Sequence, residues 1–148
     1  MTDSIDLARR YAKHRSPLLD LLGVTIELDE AGPQLCYRVQ PEHLRSHHIV
    51  HGGVLCTLLD TALGATAYAA AAADLAERGQ ELVTLQLEVH FLRPAWDGEE
   101  LRGRGTIVHH GRQTLVVRGE VTTLAGQPVV SGAGTFLPTE IAPAPKAG

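Results

Sequence analysis

One stretch of the chain concentrates groups able to do chemistry: His47, His48 and His51, then Gly52-Gly53, then a carboxylate at Asp60 and a further glycine at Gly64. Two glycines just ahead of a helix let the backbone come close to a ligand. The first turn of a helix also presents unpaired N–H groups and the positive end of the helix dipole. An oxygen that gains negative charge in a reaction is stabilised there. Projected at about 100° per residue, Gly53, Cys56, Asp60, Gly64, Ala67 and Ala71 form one stripe. Leu55, Leu58, Ala62, Ala65 and Ala69 form the opposite one. Asp60 therefore falls mid-helix, where it cannot be an N-cap and where aspartate is a poor helix former. A solvated face would surround it with Lys, Glu and Gln rather than Gly, Cys and Ala. The pattern points to a carboxylate working in a groove of small side chains, downstream of a helix start that stabilises an anion.

Other residues carry less. His43, His47, His48 and His51 crowd into nine residues, but their spacing matches no metal-ligand motif, and no metal is expected. His51 alone abuts the helix start and has a task available beside the developing oxyanion. Cys36 and Cys56 form no Cys-x-x-Cys and read as reduced thiols packed as small hydrophobes. The chain has no G-x-S-x-G elbow, no nucleotide-binding glycine loop and no Cys/His nucleophile pattern, so covalent serine and dinucleotide chemistry explain it poorly.

The elements that must position these groups follow from length and pattern. With 148 residues, 44% apolar and 20% charged, the chain reads as one globular domain. A formal charge of −4 gives no support for a nucleic-acid partner. The charged start lacks the apolar run of a signal peptide, and residues 54–73 are interrupted by Asp60 and threonines, short of a membrane span. The expected address is the cytoplasm. Helical spacing predicts a short helix over residues 4–14, ended by Ser16-Pro17. Alternation predicts strands over 23–28 and 34–39 around a turn at Asp29 to Pro33. A long helix spans 52–78 with Gly79 as its C-cap, and four strands follow over 82–92, 100–108, 114–123 and 128–137. The core is placed at 18–138, and the Pro/Ala tail, 139–148, is expected to fray. One helix cannot cover both faces of six strands, so the outer face must be polar or buried by another subunit.

With these residues in view, HGGVLCTLLDTALG at 51–64 and VTLQLEVHFLRPA at 83–95 stand in an order and at a distance that resemble the hotdog-fold thioesterases. The resemblance is to the phenylacetyl-coenzyme A type within the 4-hydroxybenzoyl-coenzyme A thioesterase superfamily. It implies an α+β fold, a curved antiparallel sheet around one central helix, and hydrolysis of acyl-coenzyme A without a cofactor. It also implies active sites at a homodimer interface, with dimers often pairing into tetramers. By resemblance, Asp60 is the general base or the nucleophile. The backbone N–H of Gly52, with Gly53 beside it, polarises the thioester carbonyl, and His51 sits next to that oxygen. Thr84 matches a Ser/Thr position that helps place the water, reached from the partner subunit. Two positions depart from the pattern. Arg45 and His48 stand where many relatives carry Asn or Gln and Gly. Arg45 can donate but not accept a hydrogen bond, so it is read as a contact for a substrate carboxylate or phosphate. Arg45, His48, Cys56 and Gly64 line the expected binding groove, and Arg93 and Arg112 are candidates for the coenzyme A phosphates. Two other functions stay open: a thioesterase for carrier-protein-bound acyl groups, and a non-catalytic acyl-coenzyme A-binding domain.

Overall fold

The computed structural model describes residues 16–143 and 145, so the helix read over residues 4–14 and the end of the tail lie outside the described residues. The described chain opens with a short helix, α1 (Pro17–Leu22). Ser16-Pro17 starts this helix: proline at the first helical position loses no hydrogen bond there. Gly23, in the left-handed conformation at φ 70°, closes it. A tight hairpin of β1 (Thr25–Asp29) and β2 (Gly32–Arg38) follows. Two short 3₁₀ turns, Pro41–His43 and Ser46–His48, lead to the long helix α2 (Gly52–Arg78), closed by Gly79 at φ 62°. Then come β3 (Glu81–Phe91), β4 (Glu100–His110), β5 (Leu115–Thr123) and β6 (Pro128–Thr139).

The six strands form one antiparallel sheet in the order β1-β2-β4-β5-β6-β3, leaving β1 and β3 as its edges. Helix α2 lies on the inner face, with Leu55, Leu58, Leu59, Leu63 and Leu75 in one core with Leu35, Leu101, Val117, Val121 and Phe136. Each leucine so buried contributes roughly 2 kcal/mol. Close approach depends on strand glycines: a Cβ on Gly103 would come within 2.9 Å of the Ala62 Cβ, and one on Gly105 within 2.8 Å of the Thr66 hydroxyl.

This architecture is the sheet-around-helix fold expected above, with one correction to the helix projection. Ala67 and Ala71, read as part of the open stripe, are buried as completely as Ala62 and Ala65 opposite them. By length and hydropathy (1.4 over its best window) α2 does reach the range of a membrane span, and ten of its residues are buried in this fold. The outer face of the sheet carries ion pairs. Arg104 pairs with Asp29 there and Arg102 with Glu100. The arginine beside Asp29 holds that carboxyl below its ordinary 3.8.

Candidate functional site

Asp60 is half-buried on α2. The Thr84 hydroxyl donates to its Oδ1 at 2.7 Å. A β-bulge aims that hydroxyl: the β3–β6 register shifts between Thr84 and Gln86, which leaves Leu85 as the extra residue beside the inward-facing Thr84. The contact lies within one chain, whereas the resemblance had this threonine arriving from a partner subunit. Beside the pair opens a cavity of about 260 Å³, with Leu19, Tyr68, Leu82 and Phe136 as apolar walls and Gly64 at its floor. A side chain at Gly64 would project toward the Phe136 ring, 3.5 Å from a Cβ. Cys56 is half-buried one turn earlier and does not line this cavity, and Cys36, buried on β2, has its thiol pushed up by desolvation.

The helix start is built differently. His51 is the N-cap, and its Nδ1 accepts the Gly53 N–H at 2.9 Å. That bond puts any ring proton of neutral His51 on Nε2. The His51 carbonyl takes the N–H groups of Val54 and Leu55. Of the two glycines, Gly53 is therefore satisfied, and Gly52 keeps an N–H that no acceptor meets among the described residues. Gly52 opens onto a second groove of about 580 Å³, shared with Arg45, Ile49, Phe91, Leu92 and Arg93.

The two parts do not meet in one chain. Gly52 and Asp60 are eight residues apart, about 12 Å along an α-helix. They line separate cavities.

Of the basic candidates, Arg45 is exposed in the Gly52 groove, while Arg93 is committed to Glu99 at 3.0 Å. Glu99 also accepts the Trp96 N–H, so Arg93 braces a turn. Arg112 lies with Arg78 beside the C-terminal end of α2. Arg78 is eighteen residues beyond Asp60, about 27 Å along the helix. Within a chain the fold thus separates Arg112 from both cavities.

At His48, where the resemblance leads to a glycine, the backbone takes a conformation that glycine adopts freely. His47 and His48 both have positive φ, 70° and 59°, a region that costs a non-glycine residue roughly 1–2 kcal/mol. The turn is held by the Arg45 N–H on the Ile49 carbonyl and by a bridge between Leu44 and Val50. Among the described residues no three His, Cys, Asp or Glu side chains converge as a metal site would require. Sequence reasoning missed one pair altogether: the buried Tyr37 hydroxyl stands 2.7 Å from the His43 Nδ1. The signal was present, because alternation in β2 turns Tyr37 inward with Leu35 and Val39, and a buried phenol needs a partner.

Comparison with known proteins bears on the family and the fold. A family model described as the thioesterase superfamily matches residues 47–130. The chain is 34% identical over 101 residues to the acyl-coenzyme A thioesterase PaaI of Escherichia coli, covering 68% of this chain and 66% of that one. The solved structure of the Escherichia coli PaaI protein from the phenylacetic acid degradation operon superposes with a TM-score of 0.74 at 27% identity, over 93% of both chains. A Bacillus halodurans protein solved with coenzyme A superposes at 0.68 with 30% identity, over 90% of this chain and 82% of that one.

Proposed function

We propose that this chain, which belongs to the thioesterase superfamily and is a thioester hydrolase, cleaves acyl-coenzyme A with Asp60 as its general base. The observation that carries the reading is the Thr84–Asp60 hydrogen bond at the lip of an apolar cavity. Thr84 occupies Oδ1 and leaves Oδ2 to take a proton from water. The water oxygen then attacks the thioester carbon, and the carbonyl oxygen becomes an anion. Collapse breaks the C–S bond and expels a thiolate. A thiol of pKa about 8.5 leaves without strong acid assistance, so a carboxylate and an oxyanion donor suffice. The cavity beside Asp60 takes the acyl group, and its size suits an aromatic ring or a medium chain.

The oxyanion donor is the Gly52 N–H, with the Nε2–H of His51 beside it. Because Gly52 lies about 12 Å from Asp60 along the helix, a single thioester does not span both in one chain. Two copies related by a two-fold axis resolve this, each lending its helix start to the other's carboxylate. The groove at Gly52 then receives the pantetheine arm, and Arg45 meets a phosphate or a substrate carboxylate at its mouth.

The test is thiol release from a panel of aromatic, short, medium and long acyl-coenzyme A substrates, wild type beside Asp60→Asn. Loss of the base is expected to lower kcat about 10²- to 10⁴-fold while the fold persists. Turnover unchanged by the substitution removes Asp60 from the mechanism.

A further inference from the structure

We infer that Tyr37 and His43 form a positioning pair that aims the Gly52 N–H, so that two residues remote from the substrate set the oxyanion donor; this rests on the role of Gly52 proposed above. Tyr37 sits on β2 inside the core, 2% exposed. Its ring stacks on His43, centroids 5.7 Å apart and planes 25° from parallel, with the hydroxyl on Nδ1 at 2.7 Å. Burial pushes Tyr37 up to about 12, so the phenol keeps its proton throughout the working range. With the phenol as donor, Nδ1 is the acceptor and the proton of a neutral His43 ring is on Nε2.

The connection to the site runs through the backbone. The His43 carbonyl accepts the His51 N–H at 2.9 Å. His51 is then fixed at three places: its N–H by His43, its ring by the Gly53 N–H, and its carbonyl by Val54 and Leu55. The peptide joining His51 to Gly52 carries the unpaired N–H, so its orientation follows directly from these three bonds. Two of them belong to α2 itself. The third ties the helix start to the turn that follows β2, where the His43 side chain meets the Tyr37 hydroxyl and the His43 N–H meets the Gln40 carbonyl. The intervening loop, with left-handed His47 and His48, is closed on itself by the Arg45–Ile49 and Leu44–Val50 contacts, and the Tyr37 bond is the side-chain tie from this turn into the core.

A hydroxyl that merely satisfies a buried phenol and a hydroxyl that aims a catalytic donor differ in what they change. Tyr37→Phe keeps the ring and its stacking and removes the hydroxyl's bonds to His43 and to the Gln40 backbone, and His43→Leu removes the first alone. Misplacing a reacting group by about an ångström costs up to about 10²-fold, and a loosened anchor here is expected to lower kcat about tenfold with KM within about twofold. The experiment is steady-state thiol release and thermal melting of wild type, Tyr37→Phe, His43→Leu, His43→Asn, the Tyr37→Phe/His43→Leu double variant, and Gly52→Pro. Asparagine places an acceptor oxygen where Nδ1 stood, so His43→Asn is expected to restore kcat to within about threefold of wild type. His43→Leu should match Tyr37→Phe, and the double variant should be no slower than either single one, because one shared bond is lost. Wild-type kcat in Tyr37→Phe, or His43→Asn as slow as His43→Leu, overturns the pair as a positioning device and leaves only packing. Gly52→Pro removes the N–H at a helix position where proline is tolerated. If that variant turns over at the wild-type rate, the role of Gly52 fails and the pair's role falls with it. If Gly52→Pro is slow and Tyr37→Phe is not, the pair alone is wrong.

Discussion

The two edges of the sheet obey different rules. β1 is five residues long, exposes Glu27 and Asp29, and is tied by Arg104 to Asp29. β3 is eleven residues long and has no fully buried residue. It exposes Leu85 by 62% and Phe91 by 57%, with Leu92 at 55% just beyond its end. Soluble proteins blunt a free edge with short length and charge, because unpaired N–H and C=O groups invite another strand. β1 is blunted in this way; β3, longer and apolar at Leu85 and Phe91, is the edge that the dimer proposed above would use. The same strand borders both halves of the candidate site: Thr84 meets Asp60 near its middle, and the Phe91 ring lies 3.5 Å from where a Gly52 Cβ would be.

Breaking that contrast should have the largest effect. Leu85→Lys puts a charge on the unprotected edge and is expected to split the oligomer and lower activity more than about 100-fold, with secondary structure retained. Thr25→Lys, on the blunted edge, should change neither; light scattering and thiol release on both variants check this. Equal behaviour of the two lysines would erase the distinction between the edges. Thr84→Val separates the strand's two tasks: assembly should be intact while kcat falls roughly 10- to 100-fold, the range of a lost hydrogen bond to a charged group. Loss of assembly in that variant would merge the tasks.

The smallest effect belongs to the blunted edge itself. Asp29 is depressed by its bond to Arg104, so the ionised pair stabilises the fold above 3.8 and that contribution is lost as pH falls through the lowered value. Arg104→Met should therefore lower Tm slightly at neutral pH, with the gap to wild type closing under acid. A gap independent of pH would assign the loss to packing.

Much of this was readable from residue order. The ends of α2 stand where Gly52 and Gly79 predict them, and all six strands appear within a few residues of their alternating runs. Asp60 stood out because it interrupts a stripe of small residues, whereas Thr84 fits the alternation of its strand and was singled out only by the family resemblance. What could not be read depends on contacts across the fold. Periodicity gives no strand order, so nothing marked β3 as an edge. The bulge at Leu85, which puts Thr84 on the same chain's Asp60, arises from pairing with β6. The 3₁₀ turns and the left-handed His47 and His48 carry none of the usual Gly or Asn signals. The burial of Ala67 and Ala71 depends on what packs against α2, which no helical projection contains.

The most direct test of the central claim, that one copy's Asp60 works with the other copy's Gly52, is subunit complementation. Asp60→Asn and Gly52→Pro are each inactive in this account; they are unfolded together, refolded as a mixture, and assayed for thiol release. In a two-fold dimer with shared sites, half of the dimers formed are mixed and each regains one intact site, so about one quarter of wild-type activity is expected. A mixture no more active than its two components would contradict the account and return both groups to a single chain.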